Sequence, residues 1–142
     1  MKVSVFAHIF ASCMLYCACS FERAEEQVIA EHANGVKKTS VWVYPDGDIL
    51  KRNEWYNDGI KELEIPYKDG VPHGEFKRWT GFGDVAMIGY YKKGLRDGKW
   101  TSYYVERLNS RKKEAERFYK EDHPVGDWEG WHYDGSKAFE EH

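Results

Sequence analysis

From Val36 onward, apolar and polar residues alternate with a period of two, and turn residues cut the alternation at short intervals. Val41-Trp42-Val43-Tyr44 ends at Pro45-Asp46-Gly47, Ile49 to Tyr56 runs to Asn57-Asp58-Gly59, and Ile60 to Tyr67 runs to Lys68-Asp69-Gly70. A period of two is that of a strand with one face toward each side. Asp-Gly between alternating runs marks a hairpin, because both positions tolerate positive φ. The same pattern predicts strands near 74–80, 84–91, 98–105, 112–119 and 126–133, with a ragged end from Ser136. That makes eight or nine short strands and no helix after residue 35. Before it, Phe21 to Asn34 lacks Gly and Pro and is rich in helix formers, and Gly35 stands where a helix C-terminal glycine is expected. A short amphipathic helix or frayed tether is predicted there, with Phe21, Val28 and Ile29 as its apolar contacts, serving as a spacer ahead of the sheet, with capping of the open first edge as a further role.

The alternation itself repeats. Tyr67-x-x-Gly70-x3-Gly74-x-Phe76, Tyr91-x-x-Gly94-x3-Gly98-x-Trp100 and Tyr119-x-x-Asp122-x3-Gly126-x-Trp128 share one spacing, and a further aromatic follows three residues on, at Trp79, Tyr103 and Trp131. Repeats of about two dozen residues indicate an array of one small unit. Gly74 to Gly98 is 24 residues but Gly98 to Gly126 is 28, while the Tyr-to-Gly links are constant. The four extra residues therefore belong to a hairpin tip, Glu106-Arg107-Leu108-Asn109-Ser110-Arg111, whose counterpart one unit earlier is Thr80-Gly81-Phe82-Gly83-Asp84. Tips accept insertions without disturbing the strand ladder.

These residues resemble the MORN repeat (membrane occupation and recognition nexus), in its bacterial variant form. Gly98-Lys99-Trp100-Thr101-Ser102-Tyr103 with Glu116-Arg117-Phe118-Tyr119 carries the pattern, as do Gly74-Glu75-Phe76-Lys77-Arg78-Trp79 with Gly89-Tyr90-Tyr91-Lys92-Lys93-Gly94, and Gly126-Asp127-Trp128 with Trp131-His132-Tyr133-Asp134-Gly135. The resemblance spans about residues 36–135 and is strongest over 67–135; Asp122 replaces a Gly and Phe76 a Trp. It implies an all-β, elongated single-layer antiparallel meander with one hairpin per unit. It also implies a scaffold or a protein- or lipid-binding surface, with no shared catalytic residues. Some bacterial variants are named as antitoxins of toxin–antitoxin systems, which fits poorly beside an export signal.

Composition sharpens this picture. Charged residues make up 32% of the 142-residue chain and aromatics 16%, with a mean hydropathy of −0.76. A disordered chain would be poor in aromatics; a thin sheet needs large flat side chains to bury area. The net charge of −3 leaves no basic footprint for nucleic acid. Lys2 followed by the apolar run Val3 to Ala18 fits a signal-peptide h-region, being short for a membrane span. Ala18 before Cys19, with Ser20 after it, resembles a lipoprotein lipobox, although Tyr16 stands where Leu or Val is usual; Cys13 is the second candidate. An ordinary cleaved signal with incidental cysteines is the alternative. The expected organisation is 1–18 signal peptide, 19–35 tether or short helix, and 36–142 repeat sheet. All three cysteines, Cys13, Cys17 and Cys19, precede the repeats, so no disulfide framework is expected in them.

Candidate chemistry is sparse. Gly70, Gly74, Gly94, Gly98 and Gly126, with Tyr67, Tyr91 and Tyr119, define the repeat and are read as structural, the glycines permitting positive φ or an aromatic over bare backbone. Gly81-Phe82-Gly83 is a turn, since a phosphate cradle needs clustered glycines before a helix. Turn chemistry accounts for the Asp-Gly carboxylates, since Ca²⁺ needs six to eight converging oxygens. His73, His123, His132 and His142 lack metal-type spacing. No nucleophilic triad or cofactor is expected. Residues i and i+3 on a strand face opposite ways, so one aromatic set packs and the other is partly exposed. The candidate binding face is the one around Trp79, Trp100, Tyr103 and Trp131. The expected role is a non-catalytic binding or scaffolding module at the bacterial cell envelope. Its partners would be a protein and, through a lipid anchor, the membrane, with self-association through open sheet edges as a further mode. The alternatives are an antitoxin-like protein neutralising a partner, a carbohydrate- or lipid-binding envelope protein, or a hydrolytic one with convergent carboxylates.

Overall fold

The computed structural model describes residues 23–105 and 111–141. Among these the chain is all β, and the strands are β1 (Glu25–Glu31), β2 (Lys37–Val43), β3 (Ile49–Trp55), β4 (Lys61–Lys68), β5 (Val71–Pro72), β6 (Gly74–Trp79), β7 (Val85–Lys92), β8 (Leu95–Arg96), β9 (Gly98–Tyr103), β10 (Lys113–Lys120), β11 (His123–Pro124), β12 (Trp128–Trp131) and β13 (Lys137–Glu141). They form one antiparallel sheet in the order β1-β2-β3-β4-β6-β7-β9-β10-β12-β13, with the two-residue β5, β8 and β11 folded back onto β4, β7 and β10. Sequential order throughout means a meander. The expected open sheet of hairpin repeats is what the chain builds.

One turn is used repeatedly. The first turn residue donates its backbone N–H to the carbonyl four residues on, and a glycine three residues on donates back. This occurs at His32–Val36, Tyr44–Asp48, Tyr56–Ile60, Thr80–Asp84 and His132–Ser136, with N···O distances of 2.7–3.0 Å. The glycine of each turn (Gly35, Gly47, Gly59, Gly83, Gly135) has φ between 80° and 95°, where a side chain would be strained. At the sixth such site the closing bond runs from Tyr104 N–H to the Lys112 carbonyl. That span is four residues longer than Thr80–Asp84, which places the insertion at the expected tip; residues 106–110 of that tip lie outside the described residues.

Two expectations are corrected. Residues 25–31 form an edge strand, not a helix or tether: β1 pairs with β2 from Glu25↔Val43 to Glu31↔Lys37. Helix propensity is worth only tenths of a kcal/mol per residue and yields to tertiary contacts. Here a helix would leave the β2 edge unpaired, and it would forfeit the bonds from Lys37 Nζ (2.9 Å) and Ser40 Oγ (2.7 Å) to Glu26. Gly35 is thus a hairpin glycine, 12 residues before Gly47. Likewise the stretch from Ser136 contains β13, paired to β12 from Trp131↔Lys137 to Trp128↔Glu141.

The sheet is a single layer, so it has almost no interior. Among the described residues the buried apolar side chains are Ala24, Phe76 and Ala115. The other large side chains lie half-exposed on one face or the other.

Candidate functional site

Alternation along each strand sorts the side chains into two unlike faces. One face holds a run of rings. Phe76 and Trp100 stack with centroids 5.2 Å apart and planes 29° apart. Tyr91 meets both edge-on at 5.8 and 5.2 Å. Tyr119 then bridges Trp100 (6.3 Å) to Trp128 (5.7 Å). The stack is allowed by Gly89, which pairs with Phe76 on one side and adjoins Trp100 on the other. A Cβ there would lie 2.2 Å from the Trp100 ring. Gly130 plays the same part for Phe139, also at 2.2 Å.

Arginines are interleaved with these rings. Arg52 pairs with Glu54, Arg78 with Glu62 and Arg96 with Asp122, and the Arg96 guanidinium lies 4.0 Å from the Tyr119 centroid. Arg suits this setting because its flat, weakly hydrated cation stacks on rings. Asp122, which stands where a repeat Gly is expected, adopts φ 66°. It accepts bonds from Arg96 N and Nε at 3.0 and 2.9 Å, and that partnership holds its carboxyl below the usual range.

The opposite face is a lattice of lysines and glutamates. Glu64 takes Lys61 at 2.6 Å and Lys51 at 3.4 Å. Glu116 takes Lys113 at 2.9 Å, Lys99 at 3.0 Å and the Thr101 hydroxyl at 3.3 Å. Lys137 joins Glu129 and Glu140, and those two carboxylates push it up to about 12. Burial pulls Glu116 and Glu64 upward, but their lysines outweigh it and hold both below the ordinary 4.5. Lys61/Glu64 and Lys113/Glu116 are three residues apart, and in a regular strand they would face opposite ways. The register shifts where β4 and β10 begin insert one extra residue and bring each pair to one face. Lysines of this lattice also sit over tryptophans: Lys37 over Trp55 (4.4 Å), Lys61 over Trp79 (5.5 Å) and Lys113 over Trp131 (5.5 Å).

The four residues singled out as a binding face do not share one. Trp79, Tyr103 and Trp131 occupy equivalent ends of β6, β9 and β12 on the lysine–glutamate face, two strands or about 10 Å apart. Trp100 belongs to the ring face, because β9 runs without a bulge from Trp100 to Tyr103. The backbone carbonyls of Trp79 and Trp131 accept Tyr56 Oη (3.0 Å) and Tyr104 Oη (2.7 Å), which ties each tryptophan to the preceding hairpin. Gly70, Gly74, Gly94, Gly98 and Gly126 all have positive φ, between 66° and 117°. Tyr91 and Tyr119 are members of the ring stack, and Tyr67 borders an open depression with Tyr44 and Leu50.

The arginines of the ring face were not singled out from the sequence. Their signal is parity, since Arg52, Arg78 and Arg117 fall on the strand positions that face the same way as Val41, Phe76 and Trp100. Cys19 and Cys13, with the whole of 1–18, lie outside the described residues. Among the described residues no group of three or more His, Cys, Asp or Glu is placed to hold a metal ion. Compared with protein-family models, with curated proteins and with solved structures, the chain matches none.

Proposed function

We propose that this chain is a non-catalytic binding or scaffolding module of MORN-variant type, exported and held at the bacterial cell envelope by a lipid on Cys19. One observation carries the binding role: a sheet face of stacked rings and arginines that no second layer of the described chain covers. Apolar surface left half-buried with nothing packed over it is the kind that marks interaction sites, and aromatic side chains with Arg are the residues enriched at protein–protein interfaces. Five of the acidic residues are engaged by partners and are not poised as general acids. Glu26, Glu64, Glu116, Asp122 and Asp134 are all held below their ordinary range by partners, whereas a general acid needs its carboxyl raised. The N-terminal h-region with Ala18-Cys19 motivates the anchor. With Lys2 removed the chain becomes more acidic still, so attachment would rest on acyl chains and not on attraction to anionic lipid.

Two measurements test this. Fractionation with radiolabelled palmitate should place wild type in the membrane fraction with label, and Cys19→Ala should lose both; unlabelled wild type in the cytosol sinks the anchor. The full chain, purified in detergent, should retain an envelope protein that Trp128→Glu does not retain. Equal retention by both would show that the ring face is not the binding surface.

A further inference from the structure

Arg117 occupies a position that varies from unit to unit, two residues before the repeat tyrosine, where Ile65 and Gly89 stand in the two units before it. It stands 28 residues after Gly89, the full length of the longer unit, and so takes the place of that glycine one unit later. Where Gly89 lets Phe76 and Trp100 close over bare backbone, Arg117 pairs in register with Trp100, and its guanidinium lies 5.4 Å from the Trp128 centroid. Arg52, Arg78 and Arg96 each have a carboxylate; among the described residues Arg117 has none. Its Nε is buried without a hydrogen-bond partner, and so is the indole Nε1 of Trp100. Both residues line one depression of about 160 Å³, with Met87, Arg96, Ser102 and Tyr119. Arg52 Nε is also unpartnered, but its terminal nitrogen holds Glu54.

Leaving a buried donor unsatisfied is destabilising, and more so on a charged group. Two such donors on neighbouring residues that line one depression, one of them on an uncompensated cation, are what a site looks like when it is built around an acceptor. We propose that this depression receives a carboxylate side chain, Asp or Glu, of a partner polypeptide whose neighbouring residues are apolar. The proposal rests on the binding-module reading and names the chemistry of its partner. One cation and two donor groups match the single charge and two oxygens of a carboxylate; a phosphate monoester brings nearly two charges, and here Arg96 is already neutralised by Asp122. A second copy of this chain docking face to face fits badly, because it would set arginines against arginines. The surrounding rings ask for an apolar flank on the incoming chain.

The probe is a pool of acetylated, amidated pentapeptides X-X-Glu-X-X, with X drawn from Leu, Phe, Val and Gly, and the matching Gln pool. Each is titrated into ¹⁵N-labelled full chain in detergent while the indole and guanidinium Nε–H signals are followed. The Glu pool should move the Trp100 indole and Arg117 Nε signals, and the Gln pool should need at least tenfold more peptide. Arg117→Gln should remove the difference between the pools, with its thermal midpoint recorded to show that it folds; Arg117→Lys, keeping charge without the fork, should retain part of it. Equal shifts from both pools, saturation by inorganic phosphate at the same concentration, or no shift at Trp100 would overturn the proposal. Shifts confined to Trp79 and Trp131 would overturn it while leaving the module a peptide binder. Loss of Cys19 labelling or of envelope capture would count against the wider reading alone.

Discussion

Replacing Gly89 by Ala isolates the contact on which the ring face is built. The backbone at Gly89 does not have positive φ, so alanine fits the chain itself. Its Cβ, however, would meet three Trp100 ring atoms at 2.2, 2.4 and 2.5 Å. Trp100 cannot yield cheaply, because Phe76, Tyr91 and Tyr119 pack on its other sides. Losing a packed Trp outright costs about 3–5 kcal/mol. Displacing it should approach that, offset by the roughly 0.4–1 kcal/mol that Gly→Ala gains by restricting the unfolded chain. The expected net loss is about 2–4 kcal/mol. Gly81→Ala is the control, since it too lacks positive φ and its Cβ would meet nothing within 4 Å; it should be neutral or slightly stabilising. Urea unfolding followed by circular dichroism compares the two, with hydrogen exchange to catch unfolding of one hairpin at a time, which repeat arrays permit. Trp100→Ala alone should cost several kcal/mol, and adding Gly89→Ala to it should add little, because both remove the same contact. If Gly89→Ala and Gly81→Ala behave alike, the stacked rings are not what holds this part of the sheet.

Three further outcomes follow from other parts of the sheet. Glu116 titrates lower when folded, so its contribution to stability is present above about pH 4.5 and falls as acid protonates it; the urea midpoint of wild type should exceed that of Glu116→Gln at neutral pH and converge with it below that range. Tyr104→Phe removes the 2.7 Å bond to the Trp131 carbonyl and should cost about 0.5–1.5 kcal/mol, read as a lower thermal midpoint with the spectrum of the fold unchanged. Deleting Arg107 to Ser110 with Arg111→Gly shortens the span between Tyr104 and Lys112 to that of the Thr80 turn and puts a glycine at its positive-φ position, and should leave stability unchanged or raise it by up to about 0.6 kcal/mol, measured by the same melt.

The meander was legible because hairpin chemistry is local. Asp46-Gly47 and Asp58-Gly59 announce their turns, and constant Tyr-to-Gly spacing located an insertion that the Tyr104–Lys112 bond then bounded. The first hairpin was missed although Asn34-Gly35 stands 12 residues before Gly47, because Glu, Gln and Ala in β1 favour a helix in isolation and only the unpaired β2 edge decides otherwise. The faces were half legible. Counting i and i+3 as opposite correctly separates Trp100 from Tyr103, yet it fails for Lys61 and Glu64, because a bulge lies between them. Bulges leave no mark in the alternation until the partner strand sets the register.

Sorting arginine to one face and lysine to the other follows from what each cation can leave uncovered. A lysine ammonium needs only a carboxylate beside it, and on the opposite face Lys51, Lys61, Lys99 and Lys113 bracket the half-buried Glu64 and Glu116. A guanidinium lies flat among rings and tolerates partial burial if a carboxylate is supplied. That condition explains Glu54, Glu62 and Asp122 as the acids paired on the ring face. It also makes Arg117 the informative exception. A sheet face that supplies a carboxylate to three arginines, and among the described residues none to the fourth, is organised around an acid that comes from elsewhere.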